Sequence, residues 1–122
     1  MKIMKYILFI LTAALIAGLF AFQPVDEQLL PTKLRITVID GLGNPVEGAT
    51  VKIFKTQDDY IASENPVQSA SSDKKGRVTF KDVKTISYFI EAKLGDKNNN
   101  GEGVKTEKLT EGRINKVNTV IE

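Results

Sequence analysis

The run Asp96-Lys97-Asn98-Asn99-Asn100-Gly101-Glu102-Gly103-Val104-Lys105-Thr106-Glu107 holds the residue types and spacing most able to do chemistry in this chain. It matches the calcium-loop pattern D-x-[DN]-x-[DN]-G-x5-E at every required position. In that pattern Asp96, Asn98 and Asn100 supply side-chain oxygens, Glu102 a backbone carbonyl and Glu107 a bidentate carboxylate, while Gly101 makes the sharp turn. A hard cation wanting six to eight oxygens is the chemistry such a set serves. Against it stand strand-like flanks, which exclude an EF-hand, and Gly103 where an apolar residue is expected. With Asp96 and Glu107 the only certain acidic ligands, the expectation is a weak Ca2+ site at most and no other cofactor. The competing reading is a solvated Asn/Gly hairpin loop. If Glu107 lies within a strand, its side chain does not reach the loop.

Other chemistry is narrowed by composition. The chain has 122 residues with no cysteine and no histidine. Without them there is no disulfide, no thiolate nucleophile and no soft metal ligand, and the commonest general base is absent. Acids such as Glu91 and Glu107 read as solvated cross-strand contacts. No catalytic residue is assigned, and the chain is expected not to be an enzyme.

The elements that must position these residues are strands. Leu34, Ile36 and Val38 alternate with Arg35 and Thr37, and Val51 and Ile53 alternate with Lys52. Between them Gly43-Asn44-Pro45-Val46-Glu47-Gly48 is built to turn. The polar stretch from Thr56 to Asp73 reads as one or two short strands joined at Asn65-Pro66. Arg77 to Lys81 is an alternating strand. Ile86 to Lys93 follows, with Tyr88, Ile90 and Ala92 on one face and Phe89 on the other. Val104 to Leu109 is a short strand, and Arg113 to Glu122 closes the fold, with a bulge near Asn115-Lys116 because Ile114 falls out of phase. The reading is an all-β, about seven-stranded, Ig-like or prealbumin-like β-sandwich.

Ahead of it, Lys2 and Lys5 precede an uncharged apolar run from Tyr6 to Phe22. This pattern reads as a Sec-type signal peptide over residues 1–21, followed by a Pro-containing spacer over 22–32 and the domain over 33–122. The expected location is secreted, periplasmic or at the cell envelope. An uncleaved run would instead anchor a structural domain in the membrane. Whole-chain net charge is +2, with 17 basic residues against 15 acidic. Lys2 and Lys5 account for the excess. The chain beyond residue 21 is therefore neutral, its basic residues alternate with acids without clustering on one predicted face, and no nucleic-acid partner is expected. Membrane contact is expected only through an uncleaved N-terminal segment.

Three stretches in order, Val38-Ile39-Asp40, Gly43-Asn44-Pro45-Val46-Glu47-Gly48-Ala49-Thr50-Val51-Lys52-Ile53 and Asp73-Lys74-Lys75-Gly76-Arg77-Val78-Thr79-Phe80, resemble the carboxypeptidase regulatory-like domain, a transthyretin-like β-sandwich. Tyr88-Phe89-Ile90-Glu91-Ala92 fills the place of that family's aromatic strand. The likeness covers roughly Leu34 to Gly95 and implies a non-catalytic accessory module. A hydrolase of the same fold relies on histidines and a C-terminal Tyr-Arg-Gly-Ser, and this chain has neither. The functional expectation is an interaction module of the cell envelope with a protein or glycan partner. Tyr60 and Phe89 are candidate contact aromatics. The alternatives are a calcium-stabilised module or a membrane-anchored structural domain.

Overall fold

Strict alternation sets the first strand. In β1 (Lys33–Ile39) Leu34, Ile36 and Val38 are fully buried while Lys33, Arg35 and Thr37 point away from the core. The chain continues through β2 (Thr50–Phe54), a short helix α1 (Gln57–Ala62), β3 (Gln68–Ser71), β4 (Arg77–Phe80), β5 (Phe89–Leu94), β6 (Lys97–Asn98) and β7 (Ile114–Val120). The structure, a computed structural model, describes residues 30–122. The expected signal segment and most of the expected spacer lie outside the described residues.

Two sheets form. One is ordered β4-β1-β7 and the other β3-β2-β5-β6. Within the first, β1 runs antiparallel to β4 and parallel to β7, with Lys33 opposite Ile114 and Ile39 opposite Val120. Within the second, β2 is the centre, antiparallel to β3 and β5. The buried rows of both sheets face one another: Leu34, Ile36, Val38, Val78 and Phe80 from one, Val51, Ile53, Ile90 and Ala92 from the other, with Tyr88 and Ile121 between them. Burial of these opposed apolar rows is the main stabilising term. The Tyr88 hydroxyl, at the tip of a ring 1% exposed, accepts from the Lys84 backbone N–H at 2.9 Å, so its polar end is satisfied.

The last residues tie the sheets together. Ile121 donates its backbone N–H to the Ile39 carbonyl on the first sheet. Glu122 and Asn98 exchange both main-chain hydrogen bonds, at 3.1 and 3.3 Å, on the second. The sandwich is thereby closed along one edge, where an exposed strand edge would otherwise invite pairing with another chain.

Two expectations are corrected. The stretch after β2 is a helix followed by one strand, rather than strands alone. Thr56 caps α1, its hydroxyl accepting from the Asp59 N–H at 3.1 Å, with Asp58 and Asp59 in the first turn, and Ser63 ends it in the left-handed conformation at φ 50°. There is also no bulge at Asn115-Lys116. The β1–β7 register runs unbroken from Ile114 to Val120. Ile114 simply points outward, and Asn115 turns its side-chain amide inward to the carbonyls of Lys33, Thr110 and Arg113. Among the described residues no helix is long and apolar enough to cross a membrane.

Candidate functional site

The turn motifs pack against one another. Asp40 Oδ1 accepts the backbone N–H groups of Leu42 and Asn44, both at 2.9 Å. Those bonds, that of Asn44 foremost, hold its carboxyl below the usual range, with the Lys97 charge helping. Asp73 Oδ1 does the same for Lys75 and Arg77, at 2.8 and 2.9 Å. Its carboxyl is likewise lowered, first by the Arg77 N–H and further by the Lys75 N–H and the charges of Arg77 and Lys75. Ser72, 5% exposed, accepts from the Ala49 N–H at 2.9 Å and donates to the Val46 carbonyl at 2.6 Å. Gly76 has φ +74°, and a Cβ there would stand 2.5 Å from the Val38 carbonyl oxygen. The side chains of Asp40, Ser72 and Asp73 are thus spent on main-chain neighbours.

The 96–107 loop is built differently from the calcium pattern. Gly95 and Asp96 form the two-residue turn of the β5–β6 hairpin, and Asp96 is exposed. Asn98 Oδ1 accepts from the Asn100 N–H at 3.0 Å, and Asn100 itself is exposed. The Glu102 carbonyl, the expected main-chain ligand, accepts from the Thr119 hydroxyl at 2.9 Å. Glu107 lies further along the same edge. Beyond the loop, Val104 accepts from Ile90, and Thr106 and Leu109 donate to Tyr88 and Ile86, so this segment continues the edge beside β5. Glu107 is therefore level with Ser87, whereas Asp96 sits past Leu94. About seven residues of extended chain separate those levels, roughly 23 Å. A single cation, bound at about 2.3–2.6 Å, is not reached by both carboxylates. Asp96, Asn98, Asn100 and Glu102 stay near the hairpin, and Glu107 does not join them. Among the described residues no group of three or more acids is placed to hold a metal ion.

The residue that organises this loop is Asn99, which the motif treats as a spacer. It is 1% exposed. Its Oδ1 accepts from the Ala92 N–H at 3.0 Å, and its Nδ2 donates to the Ile90 carbonyl at 2.9 Å and to Thr119 Oγ1 at 2.8 Å. Asn99 directly follows β6 at the edge of one sheet and Thr119 lies in β7 of the other, so this bond links the two sides of the sandwich. Gly103 (φ +68°) lets the loop lie on β7, because a Cβ there would meet the Asn118 carbonyl oxygen at 2.5 Å. That contact explains the glycine at the position where the calcium pattern wants an apolar side chain.

The candidate contact aromatics pack on the outer face of the second sheet. Tyr60 of α1 stacks on Phe89 at 5.8 Å between centroids and meets Phe54 edge-on at 6.0 Å. Lys105 Nζ lies 5.4 Å from the Phe89 centroid, within cation–π range. Glu91, 8% exposed, accepts from the Ser63 hydroxyl at 3.1 Å and pairs with Lys93 at 3.8 Å. Desolvation, and then the Glu91 charge, raise the Tyr60 phenol above its ordinary value. Phe89 and Tyr60 are half-buried in this small second core. An open groove of about 690 Å³ lies elsewhere, between Thr106–Thr110 and the first half of β7, with Leu30 at its rim.

Charge is distributed in a way the sequence order conceals. The three strands of the first sheet carry Lys33, Arg35, Arg77 and Lys116 and no acidic residue. All four occupy outward positions, which corrects the expectation that basic residues do not share a face.

No family model matches the chain, and no curated protein matches it. The fold is similar to part of the Bacillus anthracis TIE protein, at 22% identity and TM-score 0.53, over 75% of this chain and 17% of that one. It is similar to part of a streptococcal ancillary pilin, at 16% identity and TM-score 0.55, over 75% of this chain and 32% of that one. A chlorocatechol 1,2-dioxygenase from Pseudomonas putida aligns at 14% identity and TM-score 0.46, over 79% of this chain and 62% of that one. The chain thus spans less than a third of the length of the first two. The first two likenesses are of fold, and they define the class: a two-sheet β-sandwich.

Proposed function

We propose that the chain is a non-catalytic interaction module of the cell envelope, a β-sandwich of the carboxypeptidase regulatory-like, prealbumin-like kind. One observation carries this reading. The side chains of Asp40, Ser72, Asp73 and Asn99 are committed to main-chain hydrogen bonds that hold turns and sheets. What remains free for a partner is outer surface such as that of the first sheet, which is how an adaptor rather than an enzyme is organised. The likeness to a segment of a streptococcal ancillary pilin supports the envelope assignment. The charged-then-apolar start of the sequence supports export, with residues 1–21 as a signal peptide.

The test is binding of the full chain to purified envelope fractions, glycan and protein, with turnover followed in parallel. Saturable binding without consumption of any component is the expected result, and reproducible turnover would overturn the proposal. Mass spectrometry of the exported protein decides between the two forms of the N-terminus. A start near Phe22 is expected, and an intact Met1 would replace the signal peptide with an anchor.

A further inference from the structure

The first sheet presents an unusual outer face. Arg35 stands directly beside Lys116 of β7 and beside Thr79 of β4, whose hydroxyl accepts from Arg35 Nε at 3.3 Å. Thr37 lies between Arg77 and Asn118, and Lys33 lies beside Ile114. Neighbouring strands are about 4.8 Å apart and alternate residues about 6.7 Å apart along a strand, so four cations share one small lattice. Like charges directly opposite on a sheet are destabilising. Among the described residues, ion pairing within 4.0 Å is confined to Lys93 and Glu91 on the other sheet. Asp73 is near enough to lower the field at Arg77, yet its carboxylate is tied into its own turn by two backbone N–H groups. A chain that is neutral beyond residue 21 yet gathers four cations on three strands carrying no acidic residue has its charge arranged for an anion.

We infer that this face, formed by Lys33, Arg35, Arg77 and Lys116, binds an acidic polysaccharide. The inference rests on the interaction-module reading and names the partner's chemistry. Charge complementarity argues for a polyanion. The groups between the cations argue for a glycan: Thr37, Thr79 and Asn118 offer hydroxyl and amide partners for sugar hydroxyls. The described aromatics all lie elsewhere, in the core or under α1, so the face has no platform for stacking bases. Its apolar residues, Ile114 at one end and Ile39 and Val120 at the other, are half-buried or only a third exposed, leaving no wedge for insertion among lipids.

The experiment uses the full chain and polygalacturonate, a polymer of carboxylate sugars, with dextran as the neutral control and phosphatidylglycerol vesicles and duplex DNA as further arms. Binding to polygalacturonate and not to dextran is expected, weakening on the order of tenfold or more between 50 and 200 mM salt. The pair Arg35→Glu and Lys116→Glu abolishes it, while Lys55→Glu and Lys84→Glu, which change net charge equally but lie off the face, leave it within about twofold. Circular dichroism confirms that both pairs fold. Failure to bind polygalacturonate, equal loss in the two pairs, or stronger binding to vesicles or DNA would each overturn the inference. If polygalacturonate fails while envelope fractions still bind, the module reading stands and only this face is wrong. Scission of the polymer would instead defeat the module reading.

Discussion

Asn99 Nδ2, just beyond β6 at the edge of one sheet, meets Thr119 Oγ1 of β7 in the other sheet at 2.8 Å. The same Thr119 hydroxyl donates to the Glu102 carbonyl, so the loop, the edge of one sheet and the last strand of the other form a single buried network. Such a network stabilises only while every member is satisfied. Asn99→Ala strands the Ala92 N–H, the Ile90 carbonyl and Thr119 together. The expected loss is about 3 kcal/mol, on the order of 15 °C in the thermal midpoint. Thr119→Val costs about 1–2 kcal/mol, and the double variant falls short of the sum. Urea unfolding of the three variants checks this, and additivity would show that the two residues act separately.

Gly76 is held by a backbone contact and Gly43 by conformation alone. At Gly76 a Cβ meets the Val38 carbonyl at 2.5 Å with φ +74°, whereas at Gly43 (φ +87°) nothing lies within 4 Å. Gly76→Ala is expected to cost about 3 kcal/mol or more, because β1 and the turn before β4 must separate. Gly43→Ala costs about 1 kcal/mol, the conformational penalty by itself. Equal losses at the two positions would contradict this account.

Much of the fold was legible in the sequence because period-2 alternation reports burial directly. Leu34, Ile36 and Val38, and likewise Val78 and Phe80, lie inward as their pattern requires. Helix α1 escaped because six residues give too little periodicity, although Thr56 followed three places later by Asp59 is a cap signal that could have revealed it. The site was harder to read. In 96–107 the residue with the most buried hydrogen bonds is Asn99, at a position the calcium pattern ignores. The cationic face was invisible because Lys33, Arg35, Arg77 and Lys116 come from strands far apart in the chain. Only the order β4-β1-β7, with its parallel pair, brings them together.

Calcium is expected to leave the domain unchanged. Asp96 and Glu107 sit at opposite ends of one edge, and the Glu102 carbonyl already accepts from Thr119. A thermal midpoint unmoved by millimolar Ca2+ is the predicted outcome. A clear rise with calcium would restore the loop as a metal site, since any ligand selective for the folded state must stabilise it.

The second core under α1 depends on Tyr60, which touches both Phe54 and Phe89. A six-residue helix has no stability of its own in water. Tyr60→Ala is expected to cost about 2 kcal/mol and to release α1 locally. Amide exchange over residues 57–62 should rise sharply while β1 and β7 stay protected. Global loss of protection would mean that α1 is integral to the main core.

Acid should weaken the turns first. Asp40 and Asp73 have carboxyls lowered chiefly by backbone N–H donors, so each contributes stability above its unfolded value near 3.8 and loses it as pH falls through the lower folded value. Stability is therefore flat from neutral pH down to about 5 and declines below about 4. Asp73→Asn lowers stability at neutral pH and flattens the acid limb. An unchanged acid limb in that variant would remove the turn carboxylates from the explanation.

The central claim is that the polar side chains of the turns and the 96–107 loop serve the fold while a strand face meets the partner. Backbone amide chemical shifts of the full chain, followed during titration with polygalacturonate, test it most directly. Perturbations centred on Arg35, Arg77 and Lys116 are the predicted result. Perturbations centred on the 96–107 loop or the 40–48 turn, with the β4-β1-β7 face silent, would contradict it.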